Sequence, residues 1–189
     1  EIIVMDIAVD LAKAQVLDME DSTNFTEGVK ISYGEYKDLQ DGDIVVITCG
    51  AAQKEGQTRL ELLQINAKII RSVLGEIKKT GKKVYIVMVT NPVDVLTYIA
   101  VKESGLDPKF VFGSGTNLDS ARLKIELAKL LNTNPKDINA FILGEHGDSS
   151  FPTLSSANVK GVKLSDLKKL DEQFKKDTAE SIRQKAYKI

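Results

Sequence analysis

DIVVITCGAAQKEGQTRLELLQINAKIIRSVLGEIKK, residues 43–79, begins with a short β-branched apolar run and continues into a long helical pattern. The run at 43–49 predicts a strand that is buried on both faces, as the strands of a parallel sheet are. The second pattern predicts a helix over 58–79, with Thr58 as its N-cap and Gly81 as its stop. A strand followed by such a helix is typical of α/β proteins with parallel strands.

The same alternation extends over the first 115 residues. Similar patterns predict further strands at 1–7, 29–33, 83–89 and 110–113, and further helices at 10–20 and 92–104. Strands that alternate with helices pair in parallel through right-handed crossovers. Residues 1–115 are therefore predicted to form one domain, a doubly wound, Rossmann-type α/β sheet.

The pattern changes after Gly115, where we place a domain boundary. Residues 116–189 are predicted to form part of an α+β domain, with a helix at 117–131, a strand that leads to His146 and a charged helix over 165–188.

The composition is that of an ordinary globular chain, with 189 residues, 42% hydrophobic and 28% charged, and a net charge of -1. Its 26 basic and 27 acidic residues form no long block of one sign, so neither nucleic acid nor a membrane is expected as a partner. One cysteine, Cys49, excludes an internal disulfide framework, and no signal peptide or membrane-length apolar stretch is visible. We therefore expect a cytoplasmic protein that binds a small molecule.

Ligands of doubly wound sheets lie beyond the carboxyl ends of the strands, and two polar residues lie at such strand ends. Asp6 could accept the ribose hydroxyls of an NAD-type dinucleotide, or it could serve as a turn or cap residue. Asn91 could hydrogen-bond a carboxamide or carbonyl, or cap the helix that Pro92 begins. The polar segment 49–63, which contains Gln53 and Arg59, could be a mobile lid or a plain connector.

Asp119 and Arg122 are three residues apart at the start of a predicted helix, so they share one face. Most such pairs are surface salt bridges, but Asp119 could instead orient His146, the only histidine of the chain. A lone histidine near a strand is more often structural than catalytic. Because the chain has no second histidine and its one cysteine is distant, neither zinc nor another metal is expected.

Four segments carry a family resemblance: DIVVITCGAAQKEGQTRLELL, VTNPVDVLTY, GSGTNLDSARL and GEHGDSSFP. Their order and spacing resemble the L-2-hydroxyacid dehydrogenases of the lactate/malate dehydrogenase family, and most closely its L-lactate dehydrogenase branch. The resemblance covers essentially the whole chain. It implies a dinucleotide-binding domain at 1–115, a substrate domain at 116–189, NAD as cofactor and a homotetramer.

The resemblance also implies roles for individual residues. His146 is expected to act as acid and base at the C2 oxygen of pyruvate or lactate, with Asp119 behind it and Arg59 polarising the ketone. Arg122 is expected to bind the substrate carboxylate through a bidentate pair. Cofactor contacts are implied for Asp6, Gly50, Ala51 and Asn91, of which Asn91 also lies beside the substrate.

Gln53 bears on the choice of substrate. The resembling malate dehydrogenases have an arginine at its position, which neutralises a second carboxylate. A neutral Gln53 would leave the extra charge of oxaloacetate unpaired, so lactate and pyruvate are favoured.

Two further positions depart from the family pattern. Many bacterial members bind fructose 1,6-bisphosphate with an arginine and a histidine where this chain has Lys124 and Asn139. We therefore expect an enzyme that needs no activation by that sugar phosphate.

Compared with the family, the sequence lacks the first strand, the Gly-rich turn and the next helix, and it ends before the last part of the substrate domain. In the strand order 3-2-1-4-5-6 the missing strand is central, so strands 1–7 and 43–49 should be separated and leave unpaired amides. We expect the 189 residues to be an incomplete record of a longer chain, or a partial product. Alternatives are a malate or other 2-hydroxyacid dehydrogenase, and an inactive or structural fragment.

Overall fold

The computed structural model describes residues 1–25, 28–52, 54, 56–168 and 171–187. The chain divides into two compact units. The first contains Glu1–Asn91 and Val95–Phe112, and the second contains Pro92–Asp94 and Gly113–Ile189.

The first unit alternates strands with helices, and the predicted α/β class is confirmed. Its strands are β1 (Ile2–Val4), β2 (Ile31–Tyr33), β3 (Ile44–Ile47), β4 (Tyr85–Met88) and β5 (Val111–Gly113), and its helices are α1 (Val9–Ser22), α2 (Arg59–Lys79) and α3 (Val93–Glu103). The first turn of α3 and the end of β5 are grouped with the second unit. Strand β1 pairs in parallel with β2, and β3 pairs in parallel with β4, whose other neighbour is β5.

Strands β1 and β3 belong to separate sheets, as the sequence predicts. The expectation that β3 is buried on both faces is wrong. Its Ile44 and Val46 side chains are 67% and 55% exposed, whereas Ile47 is buried. Side chains alternate between the two faces of a strand, so one face of β3 is covered and the other is open.

Helix α2 begins as predicted, with a capping box. The Thr58 hydroxyl accepts a hydrogen bond from the backbone N–H of Glu61 (3.2 Å), and the Glu61 carboxylate accepts one from the backbone N–H of Thr58 (2.9 Å). These bonds satisfy two amides at the helix start. The helix is followed by Gly81, whose φ of +68° suits glycine better than other residues.

The second unit is built around α4 (Asn117–Leu131), whose bounds match the prediction. Short strands and two further helices follow it: β6 (Ile138–Asn139), β7 (Ile142–Leu143), β8 (Phe151–Pro152), β9 (Asn158–Val159), β10 (Val162–Lys163), α5 (Leu164–Leu167) and α6 (Glu172–Tyr187). Strands β7 and β8 form an antiparallel pair, and β6, β9 and β10 form a second antiparallel sheet. The apolar core of this unit includes Leu123 and Leu127 of α4 together with Ile142 of β7.

The strand predicted to lead to His146 is present as β7, which ends at Leu143, before Gly144 turns the chain with a φ of +95°. One prediction about the second unit is wrong. The charged helix over 165–188 is two helices, α5 and α6. The chain is extended at Lys168, and the Asp171 carboxylate accepts a hydrogen bond from the backbone N–H of Phe174 (2.9 Å), so Asp171 starts a new helix.

None of the helices in the described part of the chain is long and apolar enough to cross a bilayer.

Candidate active site

Helix α4 presents Asp119 on its buried side. Asp119, Leu123 and Leu127 are spaced four residues apart and therefore form one stripe along the helix. Both leucines belong to the apolar core, and Asp119 itself is only 7% exposed. A buried carboxylate is costly unless it is paired, so its partners define the chemistry of this position.

One partner of Asp119 is His146. The histidine lies in the loop between β7 and β8, after the turn at Gly144, and its side chain is 27% exposed. Its Nδ1 atom lies 2.6 Å from Oδ2 of Asp119. At the start of this loop the backbone N–H of His146 donates a hydrogen bond to the Asp94 carboxylate (2.8 Å). His146 is therefore held by both its ring and its backbone.

The other partner is Arg122, one helical turn further along α4. Its Nη1 atom lies 3.4 Å from Oδ1 of Asp119, and the two side chains are 13% and 10% exposed. This burial excludes the interpretation of the pair as an ordinary surface salt bridge. Asp119 is the only hydrogen-bond acceptor that Arg122 has among the described residues, so most of its five N–H groups remain available to a ligand.

The second unit thus brings together a carboxylate, an imidazole and a guanidinium, all partly or largely shielded from water. An ionised carboxylate can only accept hydrogen bonds, so a hydrogen bond between Nδ1 and an ionised Asp119 requires the ring proton on Nδ1. In that tautomer Nε2 is the ring nitrogen that can exchange a proton with a ligand. The guanidinium can bind a carboxylate in a bidentate manner.

The other predicted site residues that the structure describes lie in the first unit. Asp6 follows β1, is exposed and accepts a hydrogen bond from the backbone N–H of Ala8 (2.8 Å), so it supports the turn before α1. Asn91 follows β4 and is also exposed. Gln53 lies outside the described residues, and so does the side chain of Arg59, whose backbone begins α2.

Asn66 bonds the segments that follow two strands of the first unit, and it was not predicted from the sequence. This buried side chain of α2 accepts a hydrogen bond from the N–H of Ala51 (2.8 Å) and donates one to the carbonyl of Asn91 (2.9 Å). A Cβ atom on Gly50 would lie 2.7 Å from the Thr90 side chain, so the chain passes here too closely for another residue. The signal for Asn66 was a polar residue among the apolar positions of α2.

Two family models match the chain. A model described as the lactate/malate dehydrogenase NAD binding domain matches residues 1–113, and one described as the lactate/malate dehydrogenase alpha/beta C-terminal domain matches residues 116–189. The chain belongs to the lactate/malate dehydrogenase family. Its resemblance to that family, expected from four segments, is confirmed.

Individual relatives agree with this assignment. The chain is 38% identical to an L-lactate dehydrogenase of Clostridium botulinum (strain Loch Maree / Type A3), an alignment that covers 100% of this chain and 61% of the relative. The ligand-bound minor L-lactate dehydrogenase of Enterococcus mundtii matches with a TM-score of 0.92 and 36% identity over 99% of this chain and 61% of the other.

A malate dehydrogenase of Picrophilus torridus, in its apo form, matches with a TM-score of 0.90 and 34% identity over 100% of this chain and 60% of the other. This member of the lactate/malate dehydrogenase family therefore spans about three fifths of the length of each of these relatives.

Proposed function

We propose that the protein to which this chain belongs is an NAD-dependent L-lactate dehydrogenase, which interconverts pyruvate and L-lactate. The observation that carries the proposal is the contact of His146 with Asp119 at 2.6 Å, with Arg122 on the other carboxylate oxygen. The family assignment and the L-lactate dehydrogenases among the relatives support the same activity.

In this proposal His146 handles the proton. Asp119 holds the proton of Nδ1, so a doubly protonated ring donates from Nε2 to the C2 oxygen as pyruvate is reduced. In the opposite direction the neutral ring accepts the hydroxyl proton of lactate at the same atom. When NAD(H) is bound, its nicotinamide supplies or accepts the hydride at C2.

Arg122 is proposed to hold the substrate carboxylate. The planar guanidinium matches two carboxylate oxygens, which fixes the orientation of the substrate as well as its charge. With the ring protonated, Asp119, Arg122 and His146 carry a net charge of +1, which one substrate carboxylate neutralises. This balance favours a monocarboxylate such as pyruvate.

The residues of the first unit fit the proposed cofactor in their chemistry. The exposed Asp6 carboxylate at the end of β1 can accept ribose hydroxyls, and the exposed Asn91 amide at the end of β4 can hydrogen-bond a carboxamide. We propose Gly50 and Ala51 as backbone neighbours of the same ligand. Arg59 is proposed to polarise the ketone and Gln53 to select against a second carboxylate.

A malate dehydrogenase is the second candidate, supported by the Picrophilus torridus structure. Turnover of pyruvate and of oxaloacetate, followed by the loss of NADH absorbance, distinguishes the two, and pyruvate is expected to be preferred. The Gln53→Arg variant should shift the preference towards oxaloacetate. If the unchanged protein and Gln53→Arg show the same preference between pyruvate and oxaloacetate, Gln53 does not select the substrate.

A third candidate is an inactive or structural fragment, and NADH binding tests it. We expect fluorescence titration to detect binding, and we expect His146→Asn to abolish turnover with the NADH affinity unchanged. Arg122→Lys keeps the charge but loses the planar fork, so it should raise KM for pyruvate more than it lowers kcat. Absence of NADH binding would favour the fragment, and full turnover by His146→Asn would overturn the proposed mechanism.

We further propose that the activity does not depend on fructose 1,6-bisphosphate. Asn139 is neutral, and the Lys124 ammonium lies 5.2 Å from the centre of the Phe141 ring, where a cation–π contact holds it. Addition of the sugar phosphate should leave the pyruvate saturation curve unchanged. The homotetramer, supported by the family resemblance, and the cytoplasmic location, expected from the sequence, complete the proposal.

A further inference from the structure

In strand β7, the backbone N–H and carbonyl of Ile142 form hydrogen bonds with side chains of helix α4. Ile142 lies opposite Pro152 of β8, and its own backbone N–H and carbonyl make other bonds. The N–H donates to the Ser120 hydroxyl (2.9 Å), and the carbonyl accepts from the Thr116 hydroxyl (2.6 Å). Both bonds tie the strand that leads to His146 to the helix that carries Asp119.

The hydroxyl of Thr116 does not cap the helix that Thr116 begins. Thr116 is the N-cap residue of α4, where a threonine oxygen ordinarily accepts a hydrogen bond from an amide of the first helical turn. Here its side chain makes no capping bond and its hydroxyl donates to Ile142 instead. A residue suited to stabilise its own helix thus holds the neighbouring strand.

Ser120 completes the arrangement from within α4. Its single hydroxyl proton is donated to the carbonyl of Thr116 (2.9 Å), and its oxygen accepts the N–H of Ile142. The side chain is buried, with 6% exposure, so water does not readily replace it. Ser120 is also the direct neighbour of Asp119, so one residue holds the strand and the next holds the ring of His146.

We propose that Thr116 and Ser120 are positioning residues, which set α4 against β7 and thereby keep Asp119 within hydrogen-bond distance of His146. The segment from Ile142 to His146 is then fixed at both ends, because Asp94 accepts the N–H of His146 (2.8 Å). Only the consequence for turnover rests on the proposed function.

The deciding variants are Thr116→Val, which keeps the shape but removes the hydroxyl, and Thr116→Ser, which restores it. His146 is the only histidine among the 189 residues, and its imidazole signals in ¹⁵N NMR are assigned by their loss in His146→Asn; the shifts of the neutral ring then report its tautomer. We expect a ring protonated on Nδ1 in the unchanged protein and in Thr116→Ser, and a mixture of tautomers in Thr116→Val.

Turnover should follow the tautomer. A small misplacement of a catalytic group costs rate more than binding, so kcat of Thr116→Val should fall about tenfold while KM for pyruvate stays within about twofold. Thr116→Ser should recover kcat. The control is Ser156→Ala, which removes a hydroxyl that bonds the Thr153 carbonyl elsewhere in the second unit and should change neither quantity.

The inference is overturned if Thr116→Val leaves both the tautomer and kcat unchanged, whether or not the stability of the protein falls. If Thr116→Val does not fold, Ser120→Ala is judged by the same two measurements. The tautomer needs no turnover, so its loss in Thr116→Val supports the inference even if the protein does not act on pyruvate. Turnover of pyruvate with no tautomer change in either variant would retain the proposed function and reject the positioning role.

Discussion

Replacement of Asp119 by asparagine removes the charge behind His146 while it keeps the size of the side chain. The bond that is lost joins Nδ1 and Oδ2 at 2.6 Å between side chains that are 27% and 10% exposed. Hydrogen bonds to a charged group contribute about 1.5–3 kcal/mol, and 1.36 kcal/mol corresponds to a tenfold change in rate, so kcat should fall about 10- to 150-fold. An asparagine amide can also donate to Nδ1 and so favour the wrong tautomer.

The assay is pyruvate-dependent oxidation of NADH, with kcat and KM determined separately. Arg122 keeps its guanidinium and loses only a competing carboxylate, so KM for pyruvate should not rise. Asp166→Asn is the matched control, since Asp166 is an exposed residue of α5 in the same unit. A kcat of Asp119→Asn within twofold of the unchanged protein, or an equal loss in Asp166→Asn, would refute the proposed role of the pair.

Three other predictions concern stability and reactivity. Leu123→Ala should lower the free energy of unfolding in urea by about 2–5 kcal/mol because the side chain is fully buried. Leu130→Ala, at a half-exposed position of the same helix, should change it by less than about 0.5 kcal/mol, and equal losses in the two variants would contradict the packing of α4. Hydrogen bonds from Thr58 lower the pKa of Glu61, so their stabilising effect is present above the ordinary pKa of a glutamate and is lost as the pH falls through the lowered value. Glu61→Ala should therefore lower the melting temperature at neutral pH but not in strong acid, and a difference that persists in acid would reject this cause. Cys49 lies at the surface, but partial burial raises the pKa of its thiol. The rate of alkylation by iodoacetamide should therefore have a higher pH midpoint in the native protein than in urea, and identical midpoints would contradict the burial.

Local patterns predicted the parts of the fold that depend on neighbours in the sequence. The start of α2 at Thr58 and the bounds of α4 follow from capping residues and helical periodicity, and both are confirmed. The break between α5 and α6 was missed because the charged residues around it suit a helix, while Asp171 was not recognised as an N-cap. Burial of β3 was overestimated because the apolar pattern alone does not reveal which neighbours cover a strand.

The candidate site was predictable only in part. Helical spacing places Asp119 and Arg122 on one face, but the contact of Asp119 with His146 joins a helix to a loop that is distant in sequence. That contact was expected through the family resemblance and not from spacing. Thr116 and Ser120 were missed because hydroxyl residues at the start of a helix ordinarily indicate a cap, and only the tertiary structure shows that they bond β7.

The hydroxyl that Thr116 gives to β7 has a consequence for heat inactivation. Because Thr116 makes no side-chain capping bond and its hydroxyl bonds the carbonyl of Ile142, the start of α4 is attached to β7. Separation of α4 from β7 would displace Asp119 and Arg122 from His146 together, and these are the groups proposed to move the proton and to bind the substrate carboxylate. In the unchanged protein, pyruvate turnover and cooperative melting of the second unit are therefore expected to disappear at the same temperature.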